Sequence, residues 1–173
     1  MARQPKTTND NQEKPILADE FIEIVSLTPY KLNLSTEQGG KGRVVKFEKF
    51  GDSRRVSYSD LVRIIDTNQS FLESGYFYIL DERVVKKHGL SYAYDTILTK
   101  DKLERVFDLS PNSVALYKSA GEAQRKFIHQ IILDKLIKNT DVDLNVISQI
   151  EKIGGISLIQ SANEAKEMME IEK

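Results

Sequence analysis

Few residues in this chain could do chemistry, and each has a competing structural use. There are two histidines, His88 and His129. A catalytic imidazole needs a partner in hydrogen-bond reach that shares or orients its proton, and the sequence offers no such pairing. His88 precedes Gly89 at the end of a helical pattern, where an imidazole suits the terminal carbonyls. His129 sits beside the apolar stripe of the longest helix. Both read as structural. The tightest acidic groups are Asp81-Glu82 and Asp141-Val142-Asp143. Two carboxylates divide acid and base roles only where their surroundings separate their pKa values. Here both groups begin helices, where negative charge offsets the helix dipole.

Metal and cofactor signatures are equally thin. The chain has no cysteine, which removes thiolate zinc sites, disulfides and thiol nucleophiles. No histidine pair at helical spacing and no calcium-binding loop occurs. Gly39-Gly40-Lys41-Gly42 is the nearest approach to a phosphate loop. It lacks the leading glycine spacing and the Ser or Thr after lysine. It also precedes a strand, whereas a phosphate cradle opens a helix. A turn between strands is the better reading. No catalytic, cofactor-binding or metal-binding residue is expected, nor a small-molecule substrate.

Two features stand above background. Lys41, Arg43, Lys46, Lys49, Arg54 and Arg55 crowd residues 41–55, against Glu48 and Asp52 alone, in a chain of net charge -1. As one two-stranded hairpin they would share an outer face and could displace counterions from nucleic acid. The competing role is a solvated face that discourages strand-edge pairing. The second is Gly75-Tyr76-Phe77-Tyr78-Ile79, an aromatic strand. Phe77 and Ile79 alternate toward the core, leaving Tyr76 and Tyr78 as a candidate protein interface.

The elements that carry these residues change character along the chain. Met1 to about Pro15 is polar and reads as a flexible arm. Phe21 to Leu27 reads as a strand, with a short helix on Phe21, Ile24 and Val25 as the alternative, and Leu32-Asn33-Leu34 and Val44 to Phe50 alternate. Gly51-Asp52 turns the chain into a hairpin partner around Arg55 to Tyr58. Ser59 is placed to cap a helix buried on Leu61, Ile64 and Ile65. Ser110-Pro111 reads as a cap followed by proline at the first helical position. Ser119 and Glu122 have capping-box spacing for a helix from about Gly121 to Lys138. Leu144, Ile147 and Ile150 stripe the next helix, which Gly154-Gly155 ends. Ser161 and Glu164 suit the cap of a last helix, whose end, Met168 to Lys173, should fray unless docked.

Composition agrees with a globular protein: 40% hydrophobic and 29% charged over 173 residues. Met1 to Lys6 carries no apolar signal core, and no run approaches the roughly 20 apolar residues of a membrane span. No export by such a signal and no membrane partner are expected. The fold class is α+β, a small antiparallel sheet with one or two packed helices followed by a helical C-terminal region. The expected organisation is an arm over residues 1–15, an α+β body over 16–98 and a helical region over 99–173.

Val44-Val45-Lys46-Phe47-Glu48-Lys49-Phe50-Gly51, Val56-Ser57-Tyr58-Ser59-Asp60-Leu61 and Gly75-Tyr76-Phe77-Tyr78-Ile79-Leu80-Asp81 together resemble small structural proteins of large tailed bacteriophages. The resemblance covers about Leu27 to Leu90 and transfers no site residue. It implies a non-enzymatic virion component or assembly factor, in the virion or the host cytoplasm. Such a protein would pack against other virion proteins or copies of itself. A nucleic-acid-binding accessory factor using residues 41–55 is the alternative.

Overall fold

β1 (Phe21–Ser26) forms where β-branched and aromatic residues cluster, and it becomes the centre of a sheet. The computed structural model describes residues 14–171. The expectation of a flexible arm falls almost wholly on residues 1–13, outside the described residues. Three strands make an antiparallel sheet in the order β4 (Ser53–Ser57), β1, β5 (Phe77–Ile79), and β2 (Leu32–Ser35) pairs with β3 (Val44–Phe47) in a second sheet. The glycine segment is the turn between β2 and β3, where Gly39, Gly40 and Gly42 all take positive φ.

One expectation needs correction. Residues 41–55 do not form a hairpin. Leu32 and Leu34 of β2 face Phe47 and Val45 of β3, while β4 runs along β1 with Ile22 opposite Val56. The turn at Gly51-Asp52 is docked rather than free. The Gly51 amide donates to the Ser26 carbonyl, and the Ser26 amide to the Asp52 carbonyl, each at 2.9 Å. The Asp52 carboxylate accepts the Glu48 amide at 2.8 Å. These bonds feed β4 onto β1, whose Ile22 and Ile24 are almost fully buried.

The described residues contain nine helices: α1 (Tyr58–Thr67), α2 (Gln69–Glu73), α3 (Glu82–Lys87), α4 (Ser91–Tyr94), α5 (Lys100–Phe107), α6 (Ser113–Ser119), α7 (Glu122–Ile137), α8 (Leu144–Gly154) and α9 (Leu158–Ile171). The fold is α+β with a helical C-terminal region. No helix among the described residues is long and apolar enough to cross a membrane. Asp81 and Asp143 cap α3 and α8, accepting the amides of Arg83 and of Asn145 and Val146.

Other caps differ from expectation. α1 is capped by Ser57, whose hydroxyl accepts the Asp60 amide, because Tyr58 already belongs to the helix. α6 starts at Ser113, so Pro111 precedes it, and the Ser113 hydroxyl takes the Ser110 amide and donates to the Arg105 carbonyl. No Ser119–Glu122 box forms. Ser119 bonds back to the Leu116 carbonyl, Glu122 pairs with Lys126, and Gly121 stands at the cap of α7. α9 starts three residues before Ser161, whose hydroxyl bonds the Ser157 carbonyl.

Buried side chains fall into two clusters. One unites both sheets with α1 to α4 through Ile24, Phe47, Leu61, Ile64 and Phe77. The other unites α5 to α9 through Leu103, Tyr117, Ile128, Ile132 and Ile147, and takes Leu27 and Leu98 from the preceding chain. Each fully buried Leu, Ile or Phe contributes about 1.5–3 kcal/mol. Gln124 of α7 ties this second cluster to the segment that enters α5. Its amide receives the Leu98 N–H at 2.7 Å and donates to the Leu98 carbonyl at 2.9 Å, with no exposure to solvent. Gly75 (φ +73°) makes room, since a Cβ there would lie 2.7 Å from the Gln124 nitrogen.

Candidate functional site

The histidines each meet a tyrosine. The Tyr58 hydroxyl lies 2.9 Å from His88 Nε2, and the Tyr117 hydroxyl lies 2.6 Å from His129 Nε2. Burial, with Lys87 beside it, holds the His88 pKa below its ordinary value despite an opposing pull from Asp66. Burial and then Arg125 do the same for His129. A neutral ring with Nε2 bare accepts a tyrosine proton, so both pairs are self-consistent as structural bonds. Tyr117 is wholly buried and Gly154 closes over its hydroxyl, leaving no room there for a substrate.

The sign of the pH effect follows. A histidine whose folded pKa lies below its unfolded value of about 6.5 binds its proton more readily when unfolded. Its contribution is complete above about pH 6.5 and is lost as pH falls through that value toward the folded one. Urea unfolding should therefore show lower stability at about pH 5.5 than at pH 7.5, ahead of the carboxylate range near 4. The double variant His88→Gln/His129→Gln should flatten that step. An equally steep step in the variant would assign it to other groups.

The acidic groups serve the fold. Arg83 is held between Asp81, at 2.6 Å, and Glu20, and their carboxylates raise its pKa while Arg83 lowers theirs. Among the described residues no three histidine or carboxylate side chains gather where they could hold a metal ion.

The six basic residues do not converge. All are exposed, but they stand on two sheets. Arg43 pairs with Asp60 at 2.8 Å. Arg54 lies over the Phe47 ring at 5.6 Å, and Arg55 lies over Phe21, on the opposite face of the sheet, at 5.7 Å. Lys41, Lys46 and Lys49 flank β3 with no carboxylate of the described residues in pairing distance. Charge beside an exposed strand edge hinders a foreign strand from pairing there.

Tyr76 and Tyr78 are both half-buried. Tyr76 stacks on Phe71 at 4.8 Å and meets Phe127 edge-on, while Tyr78 leans on Tyr94 at 4.6 Å. The Tyr94 hydroxyl closes the outer edge of β5, accepting the Ile79 amide at 2.8 Å and donating to its carbonyl at 3.3 Å. Phe77 and Ile79 do point into the core.

The surface with most to offer lies on the outer face of the three-stranded sheet. Strand alternation sends Phe21, Glu23 and Val25 of β1 to that face, with Arg55 and Ser53 opposite Glu23 and Val25 on β4, and Tyr78 opposite Val25 on β5. The N-terminus of α5 covers one end. What is left is a cleft of about 420 Å³ lined by Glu23, Val25, Ser53, Tyr78, Leu80 and Lys100. Beyond it the sheet is open, and Phe21 and Leu80 are 58% and 51% exposed. Of the candidate site residues named from sequence, Tyr78 lines this cleft. Phe21 and Leu80 were missed, although the alternation of Phe21, Glu23 and Val25 signalled that one apolar residue must face away from Ile22 and Ile24.

A second exposed apolar group, Met168, Met169 and Ile171, ends α9. No protein-family model, curated protein or solved structure matches this chain.

Proposed function

We propose that this is a non-enzymatic structural or interaction protein, a bacteriophage virion component or assembly factor that works through protein–protein contacts. The observation that carries the reading is apolar exposure in two places, Phe21 with Leu80 on the sheet and Met168, Met169 and Ile171 on α9. Isolated exposed apolar residues are ordinary, but groups of them rimmed by charge mark contact surfaces. The engaged histidines and Arg83 add support, since these three side chains already have partners that fix the fold. A virion component should co-sediment with particles through a density gradient and resist wash-off in high salt. Recovery of the chain only in the free-protein fraction would oppose the phage assignment.

Nucleic-acid binding is favoured by one observation, the exposed lysines Lys41, Lys46 and Lys49 on and beside β3, which pair with no carboxylate of the described residues. If they contact phosphate, retention on DNA or RNA should fall steeply with salt, and Lys46→Ala/Lys49→Ala should weaken it further. Arg54→Ala should matter less, because its guanidinium is committed to Phe47. Retention that ignores both salt and these lysines would remove this reading.

A further inference from the structure

The sheet-face cleft is acidic as well as apolar. We infer that it receives a basic segment of a partner protein, with an arginine side chain seated against Tyr78 and Leu80 and its charge beside Glu23 and Asp101. This rests on the proposal that the chain works through protein contacts, and it gives the partner's chemistry.

Charge decides the sign of the occupant. Glu23 comes from the middle of β1 and Asp101 from the first turn of α5, and both line the cleft. Both are exposed, and neither lies within ion-pair distance of a basic side chain among the described residues. The ammonium in the lining, that of Lys100, is already engaged by Glu104 at 3.3 Å, one turn along α5. Arg55 stands opposite Glu23 in the register but outside the lining, and its guanidinium lies over the Phe21 ring. Glu82 adds to the negative field: burial first, and that carboxylate second, raise the pKa of the Tyr78 phenol. A site of this balance repels an acidic segment and draws a cationic one.

The walls decide which cation. Val25 and Tyr78 face each other across the β1–β5 register, and Leu80 continues the apolar side. A basic side chain can lay its methylene stem on such a surface while its head stays with the carboxylates. Arginine suits it better than lysine, because the planar guanidinium rests on an aromatic ring and is less strongly hydrated. The volume of about 420 Å³ is near the lower end of the roughly 300–1,000 Å³ of ligand pockets, so it suits one long side chain and not a helix.

The open face beyond decides between a small amine and a chain. Leu80 is 51% exposed, and Phe21 further along the sheet is 58% exposed. A polyamine in the cleft would leave both in water. A segment with apolar residues flanking its arginine would cover them, the pattern of an apolar contact with charge at its rim.

The test is a titration of the full chain with the peptide acetyl-Gly-Leu-Arg-Leu-Gly-amide, followed by assigned amide NMR spectra. Binding should saturate with a dissociation constant of about 0.1–1 mM, and the amides of Val25, Tyr78, Leu80 and Lys100 should shift most. It should weaken several-fold between about 0.05 and about 0.3 M salt. The same peptide with citrulline for arginine, equal in shape and uncharged, should bind at least about tenfold more weakly. Glu23→Gln/Asp101→Asn should lose as much, and Leu80→Ser, which alters no charge, should also weaken binding. All three residues are exposed, so these variants should fold, which a thermal melt verifies. Lys100→Ala removes the lining's positive charge and should tighten binding. No saturable shift, a citrulline peptide that binds equally, or spermidine that matches the arginine peptide on the same amides would overturn the inference. If particles retain the chain but the peptide does not bind it, the basic partner is refuted and the contact reading stands. If the peptide binds but particles do not retain the chain, the basic partner is supported and the phage assignment fails.

Discussion

Gln124→Leu should cost the protein about 3 kcal/mol, more than loss of any surface ion pair. Gln124 is wholly buried and satisfies both the N–H and the C=O of Leu98, which is itself buried. Leucine supplies similar bulk and no polar atom. Two backbone groups would then be buried without partners, at about 1–3 kcal/mol each. In a chain of this size the melting temperature should drop by roughly 6–12 °C. Gln130→Leu is the control: Gln130 bonds Asp134 on the exposed side of the same helix, at 2.9 Å, and should change stability by less than about 0.5 kcal/mol. Equal effects from the two variants would refute the bridging role of Gln124.

Gly154→Ala should destabilise, against the usual direction. Alanine is ordinarily better than glycine in a helix by about 1 kcal/mol. Gly154 is the last residue of α8, and left-handed backbone begins only at Gly155 (φ +64°). The obstacle is packing. A Cβ at Gly154 would collide with the Tyr117 hydroxyl and come within 3.4 Å of His129 Nε2. Tyr117 is fully buried, with the Arg125 guanidinium 5.3 Å from its ring centre. It has nowhere to move without breaking its bond to His129. Strain of this kind costs about 1–3 kcal/mol, and a lost buried hydrogen bond adds about 1. Tyr117→Phe removes the oxygen that collides, so the double variant should be more stable than the sum of the single losses by about 1 kcal/mol or more. Additive losses would show that the close approach is not the cause.

These two residues mark the limit of what the sequence discloses. Gln124 looks like any polar residue at the start of an amphipathic helix. Its importance comes from Leu98, twenty-six residues earlier, and nothing local signals that pairing. Gly154-Gly155 is legible as a helix stop, but not as the space that admits Tyr117. What could be read was local. The strand at Phe77 to Ile79 was legible, and that at Phe21 to Ser26 was preferred over a short helix, because alternation and β-branching lie within a few residues. Asp81 and Asp143 were readable as caps because a cap bonds amides two or three residues away.

Strand partnership was not readable in the same way. Proximity in sequence favoured pairing Val44–Phe50 with Arg55–Tyr58. The chain prefers β1 for β4, because pairing is decided by which apolar faces are buried together. That error had a cost for function, since it placed Arg54 and Arg55 on one face when they lie on two. The cleft escaped notice for a related reason. It is made by the sheet face and the start of α5, segments distant in sequence.

The central claim is that Phe21, Leu80 and the end of α9 are contact surfaces. Hydroxyl-radical footprinting of the full chain, alone and in its native complex, tests it most directly. Phe21, Leu80, Met168 and Met169 should lose reactivity several-fold in the complex. Tyr92, which is 53% exposed and belongs to neither surface, should react equally in both. Unchanged reactivity at Phe21, Leu80 and both methionines would contradict the account.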